Sequence, residues 1–176
     1  LNTNPKFNTS ELKTCSGVMN DWDDCFGKLS SEDVNGKKEY EGEFRKGKPS
    51  GIGTQKRSNR TYYGEFKDGL ANGTGDLRYE DSNLITRYVG DFKNGKPIGK
   101  IVVTTKYLKG GGQTGICSGT LSDKGWEGLV NCRFETGHTY SGGMDLNGNF
   151  SGEGIYTWPD GWKYIGCLLY TSPSPR

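Results

Sequence analysis

No run of apolar residues in this chain approaches the roughly 20 needed to cross a bilayer as a helix. The longest in its body is Ile101 to Val103. A transmembrane helix is therefore not expected. Hydrophobic residues make up only 31% of the sequence, too few for a thick globular core. So polar a composition raises disorder as the first alternative. Histidine is nearly absent: His138 is the only one. Histidine-based zinc sites and catalytic triads need further His or Cys at suitable spacing. Cys132 lies six residues away and no CxxC occurs, so His138 reads as a solvated turn residue. No GxxxxGK[ST] is present. Residues 110–115, GGGQTG, formally match GxGxxG, but the phosphate-binding form needs a helix after it. Instead the chain continues into Ile116-Cys117-Ser118, a strand-like run, so these glycines read as a flexible loop between hairpins. The first residue is Leu1, with no basic and apolar signal region, and the start is read as truncated or processed.

Glycine, by contrast, is abundant at 29 residues, and aromatics reach 12%. Both are regularly spaced, which argues against disorder. Residues 40–54 read YEGEFRKGKPSGIGT, residues 62–76 YYGEFKDGLANGTGD and residues 88–102 YVGDFKNGKPIGKIV. A fixed grammar at a short period marks a repeat architecture. Within one copy, Tyr40, Gly42 and Phe44 alternate with Glu41 and Glu43. Period two puts the first three on one face of a strand and the acids on the other. The polar stretch Arg45 to Ser50 reads as a hairpin loop. Folding about Gly47 and Lys48 sets Gly42 opposite Gly53 and Tyr40 opposite Gln55. Glycine weakens a strand unless something large must approach it; here that is expected to be the Tyr or Phe of the next hairpin. A lone hairpin is barely stable, so stacked hairpins should bury one continuous seam.

This grammar resembles the MORN repeat, written roughly as YxGxF, a turn, then GxG. The resemblance spans about residues 25 to 166. The first copies carry Tyr40, Gly42 and Phe44, then Tyr62, Gly64 and Phe66. The third keeps Tyr88, Gly90 and Phe92 but has Ile101 at the last Gly position. The fourth is degenerate, framed by Cys117, Gly119, Leu121 and Gly128, with Val130 at that position. The fifth runs from Tyr140 and Gly142 through Gly152 and Gly154 to Tyr156; a sixth begins at Tyr164. The resemblance implies an all-β, elongated stack of antiparallel hairpins, a solenoid. Its domains are a flexible leader over 1–14, a cap and half-repeat over 15–39, and repeats over 40–166. Starts fall near 40, 62, 88, 117, 140 and 164.

A Cys, a Trp and Cys-Phe-Gly precede the first full repeat, in CSGVMNDWDDCF from Cys15 to Phe26. Such a segment resembles the one ahead of the repeats in many bacterial envelope MORN proteins. Trp22 is expected to lie over the end of the seam. Lys28 to Glu39, Tyr79 to Arg87 and Val103 to Ile116 read as long connections, with a turn signal at Asn35-Gly36. The last ten residues, 167–176, CLLYTSPSPR, are similar to the translation of a transposase sequencing adapter in every position and are left out of the fold reading. Native sequence is then expected to stop at Gly166, in a fragment of a longer protein.

Four cysteines remain: Cys15, Cys25, Cys117 and Cys132. Two close pairs suggest disulfides and an oxidising, extracytoplasmic compartment, periplasmic or secreted. The hairpin register also opposes Cys117 and Cys132, at a separation near disulfide range. Two small buried thiols are the competing reading.

Charge is uneven. Residues 1–39 are net −2, residues 40–109 net +6 and residues 110–166 net −3. Arg45, Lys46, Lys48, Lys67, Lys93 and Lys96 fall in the first turns of three successive hairpins. Stacked in register, they line a basic edge that attracts anionic lipid or another polyanion, less so as salt rises. Ordinary solvated turns explain them equally, and Asp68 interrupts the row. A pI near 8.2 is low for a dedicated nucleic-acid binder. The acids Glu41, Glu43, Glu65 and Asp91 recur at outward positions and read as a solvated face. Asp21, Asp23 and Asp24 lack the Gly and terminal Glu of a calcium loop. Asn59 and Asn72 open N-x-T sequons. No metal or cofactor is expected.

The resemblance implies a non-catalytic scaffold for protein association, or attachment to a membrane surface. MORN arrays also accompany phosphoinositide kinases and methyltransferases, so an accessory array of a missing catalytic domain is the third reading.

Overall fold

The computed structural model describes residues 11–34, 36–109, 112–145 and 147–168. The first ten residues of the leader, Asn35 of the turn signal, two glycines of the 110–112 run and the adapter-like tail beyond Leu168 lie outside them. Among the described residues, twelve strands pair in sequence order in one open antiparallel sheet of consecutive hairpins. The chain divides into two compact units, one of Leu1–Glu80 with Asp91–Lys96, the other of Asp81–Gly90 with Pro97–Arg176.

Unit 1 holds β1 (Cys25–Asp33), β2 (Gly36–Arg45), β3 (Lys48–Arg57), β4 (Arg60–Lys67) and β5 (Leu70–Glu80). β6 (Leu84–Lys93) and β7 (Lys96–Tyr107) give residues to both units. Unit 2 continues with β8 (Gly115–Ser122), β9 (Gly125–Phe134), β10 (Thr139–Met144), β11 (Phe150–Thr157) and β12 (Lys163–Leu168).

In unit 1, Gly42 faces Gly53 and Tyr40 faces Gln55, the register expected from the repeat. Tyr40, Phe44, Tyr62, Phe66 and Phe92 are all buried on one face. Their rings meet edge to face: Phe66 lies 4.9 Å from Tyr40 and 5.1 Å from Tyr62, and Phe92 lies 5.0 Å from Tyr62. Aromatic pairs favour that geometry over a flat sandwich.

The glycines make room for a different ring from the one expected. A Cβ on Gly53 would run into the Tyr40 ring and hydroxyl, and one on Gly75 into those of Tyr62. Each tyrosine thus folds over the glycine pair of its own hairpin, not of the next. The reason is a β-bulge. Pairing slips between Gly42 and Phe44 and again between Gly64 and Phe66. Three residues of the return strand, Ser50 to Ile52 or Asn72 to Thr74, stand against one, Glu43 or Glu65, which breaks the ladder locally and leaves polar groups to other partners. The Tyr40 hydroxyl donates to the Glu43 carbonyl at 2.9 Å, and the Tyr62 hydroxyl to the Glu65 carbonyl at 3.0 Å. Burial, then the nearby Glu43 or Glu65, pushes both phenols well above their usual range, so they stay neutral donors. Across the bulge, the Glu65 carboxylate accepts the Thr74 N–H at 3.1 Å. Glu43 likewise lies over Gly51. These acids, read from sequence as merely solvated, fit against the bulge.

The bulge also moves the turn. Its centre is Lys46-Gly47, not Gly47-Lys48, because β3 spends three residues, Ser50 to Ile52, against the single Glu43 of β2. Lys46 (φ 49°) and Gly47 (φ 71°) are both left-handed, as a two-residue type I′ hairpin requires.

Gly75→Ala should therefore cost unit 1 about 1–3 kcal/mol, the usual range for overpacking a tight site. Urea unfolding checks this. A loss under about 0.5 kcal/mol would mean that the Tyr62 ring has space to move.

The segments read as long connections are mostly strand. Lys28 to Asp33 pairs with Gly36 to Glu41. Few apolar residues mark these arms; opposite charges do, as in Lys28–Glu41 at 3.1 Å and Arg57–Asp33 at 3.1 Å. Likewise β5 runs on to Glu80, β6 starts at Leu84, and β7 reaches Tyr107. Within the expected leader, Thr14 forms a parallel bridge to Phe26. A disulfide joins Cys15 to Cys25. Trp22 packs on Phe44 at 4.8 Å and lies over Gly27.

In unit 2 the seam changes character. Tyr88 and Gly90 are half-buried, unlike their counterparts. Ile101, 1% exposed, stands where the glycine belongs, and its Cδ1 would lie 2.7 Å from a Cβ on Gly90. In the fourth copy Trp126 covers Gly119 from the opposite strand, and a disulfide links the opposed Cys117 and Cys132. The fifth copy recovers the pattern. Tyr140 faces Tyr156, Gly142 faces Gly154, and the Tyr140 hydroxyl donates to the Gly143 carbonyl at 2.6 Å. Its turn is closed by Asp145, which accepts the N–H groups of Asn147 and Asn149. His138, expected to be solvated, is half-buried, with Nδ1 2.9 Å from the Tyr156 hydroxyl.

Candidate functional site

The hairpin turns of unit 1 are tied along one edge. Gly47 N–H donates to the Trp22 carbonyl, Gly69 N–H to Pro49, and Gly95 N–H to Ala71, at 2.7, 2.8 and 2.9 Å. Arg45, Lys46, Lys48, Lys67, Lys93 and Lys96 are all exposed beside these turns. The edge is not uniformly basic. Arg45 is ion-paired to Asp24 at 3.2 Å, and Asp23 accepts the Lys46 N–H at 2.9 Å. Two of the three clustered aspartates thus close the first turn. Asp68 occupies the next turn.

The face of unit 2 opposite its seam carries the second candidate, a groove of about 720 Å³. It follows from which residues lie at outward strand positions. One cross-strand row runs Thr104, Ile116, Arg133, Thr139 and Thr157. The adjacent row runs Ser118, Asn131, Ser141 and Ile155. Most of these side chains are short, so the sheet surface stays open above them. Six carry a hydroxyl or an amide that can both donate and accept. Ile116 and Ile155 are 52% and 41% exposed. Arg133 and Glu135 are the charged groups lining the groove. Arg133 makes no ion pair among the described residues.

The outward face of unit 1 differs. Its central row runs Lys28, Glu41, Thr54, Tyr63 and Asp76. Lys28 and Glu41 satisfy each other there. The sequence reading missed the groove because serine, threonine and asparagine at outward positions look like any wetted face. The usable signal was the near absence of charge at those positions from β8 to β11.

Among the described residues, no group of three or more His, Cys, Asp or Glu is placed to hold a metal ion. No described helix is long and apolar enough to cross a membrane.

Stacked hairpins whose two faces divide into an aromatic seam and an open polar surface define a repeat-built binding module. The sequence model of the MORN repeat matches residues 40–61, 62–84, 88–100 and 146–163. The chain is a MORN-repeat protein. The degenerate fourth copy falls between the last two matches, where Cys117 and Val130 replace the tyrosine and glycine. No curated protein matches the chain significantly.

Proposed function

We propose that this chain is a non-catalytic scaffold whose unit 2 groove binds a segment of a protein partner. The groove carries this reading: it is large enough for several residues of an extended chain and lined by groups that can meet peptide N–H and C=O. The two disulfides support work outside the cytoplasm, where such bonds persist. A second reading, peripheral binding to anionic lipid, draws on the exposed bases along the turn edge.

Selection of phage-displayed random peptides on the full chain separates the two. Ser141→Tyr fills the groove with a residue suited to a strand. Under the scaffold reading, selected peptides bind the native chain and lose at least tenfold on this variant. Replacing Arg45, Lys46 and Lys48 by Gln leaves them unaffected. Under the lipid reading, the chain pellets with phosphatidylserine-containing vesicles at low salt. Each base near such a surface contributes about 1 kcal/mol, so the triple substitution should then weaken pelleting at least tenfold. Tight vesicle binding at physiological salt, with no groove-sensitive peptide recovered, would put the lipid reading first.

A further inference from the structure

We propose that the unit 2 groove selects an extended peptide bearing one carboxylate, with Arg133 as the residue that reads it. The proposal rests on the docking reading above and names the chemistry of the occupant. Arg133 sits near the middle of its row, in register with Ile116 on one side and Thr139 on the other. A guanidinium presents donors in a planar fork that matches a carboxylate with two parallel bonds. It has no ion-pair partner among the described residues. Its neighbours in both rows are hydroxyls, an amide and isoleucines, so no acid in those rows competes. Glu135, also lining the groove, is the acid two residues further along β9 and its turn.

The surroundings decide between one carboxylate and many. Residues 110–166 are net −3. A polyanion such as nucleic acid or a charged lipid surface would be repelled by that field. A single carboxylate gains the short-range fork and meets little of the repulsion. Geometry sets the rest. Neighbouring strands are about 4.8 Å apart, so β8 to β11 span roughly 14 Å. An extended chain rises about 3.3 Å per residue with alternate side chains on one face. Laid across the strands, a peptide with its acid on Arg133 brings an apolar side chain two residues to one side over Ile116, one strand away, while the other side runs in the direction of Ile155, two strands away in the adjacent row.

The test uses the full chain and two fluorescein-labelled seven-residue peptides. Each carries valines two residues to either side of its centre and threonines elsewhere. One has a central glutamate, the other a central glutamine. Anisotropy titration should show the glutamate peptide binding at least tenfold more tightly. Arg133→Gln should erase that preference, and Arg133→Glu should transfer it to a peptide with a central lysine. Arg133 is exposed, so both variants should keep the fold, which far-UV circular dichroism checks. Equal affinity for the two peptides, no binding of either, or a preference that survives Arg133→Gln would overturn the proposal. If phage selection still yields peptides sensitive to Ser141→Tyr, docking stands and only the carboxylate preference is lost. If it yields none, the docking reading itself has failed.

Discussion

Phe66→Ala is expected to destabilise unit 1 by about 3–5 kcal/mol, the range for emptying a large buried aromatic site. Phe66 is 5% exposed and lies between two tyrosines, with ring centroids at 4.9 and 5.1 Å. Removing it takes one edge-to-face partner from each of Tyr40 and Tyr62, leaving Phe44 beside the first and Phe92 beside the second. Those are the rings that cover the paired glycines and hold the bulged carbonyls. The loss should therefore spread from one hairpin to its neighbour instead of leaving a dry hole. Glu65→Ala is the control on the opposite face. It removes an exposed hydrogen bond to the Thr74 N–H, worth about 0.5–1.5 kcal/mol. Urea unfolding followed by tryptophan fluorescence reads both, because Trp22 packs on Phe44 in the same unit. Equal midpoint shifts for the two variants would mean that the seam is not what holds the hairpins together.

Period two in Tyr40-Glu41-Gly42-Glu43-Phe44 is enough to assign the buried face. A symmetric turn is enough to pair Gly42 with Gly53 and Cys117 with Cys132. Both follow from period and symmetry alone. The bulge does not. Setting Ser50 to Ile52 against Glu43 goes with the Tyr40 ring packing over Gly53 of its own hairpin, and no count of residues reveals that. A symmetric reading therefore places the turn one residue late. The arms Lys28 to Asp33 and Gly36 to Glu39 carry almost no apolar alternation, so they looked like connection. Their strand character comes from a neighbour already in place and from charges such as Lys28 and Glu41 that meet only once paired. Tyr88 shows the reverse failure. Its motif is nearly intact, yet Ile101, on the other side of the turn, takes the space its ring needs. The groove was least legible of all. Its hollow depends on several strands laid side by side, whereas each contributes only an ordinary serine, threonine or asparagine.

Removal of the Cys117–Cys132 link, as the paired alanine substitution or by dithiothreitol, should destabilise unit 2 by about 3 kcal/mol. That is the loop-closure value for a cross-link spanning about 15 residues in the unfolded chain, and the two cysteines are 15 apart. The fourth hairpin has little else to draw on. It lacks the tyrosine that elsewhere covers the glycines, and Val130 fills the position of one of them. Cys132 is itself buried in a cluster with Val130, Tyr140 and Tyr156. Loop length alone hardly separates the other pair, since Cys15 and Cys25 are 10 apart. Location separates them. Cys15 begins a segment joined to β1 by one bridge and tied further on by Trp22, Asp23 and Asp24 to the first turn, so its loss should loosen the start of that segment while the hairpins of unit 1 persist. Hydrogen exchange resolves the two cases. The first substitution should speed exchange across β8 to β10, the second only around Lys13 to Phe26. Free thiols at Cys15, Cys25, Cys117 and Cys132 alike on non-reducing peptide mapping of protein purified under oxidising conditions would rule out both links. Slow exchange in β8 and β9 after the first substitution would show that Trp126 and Val130 hold the fourth hairpin without it.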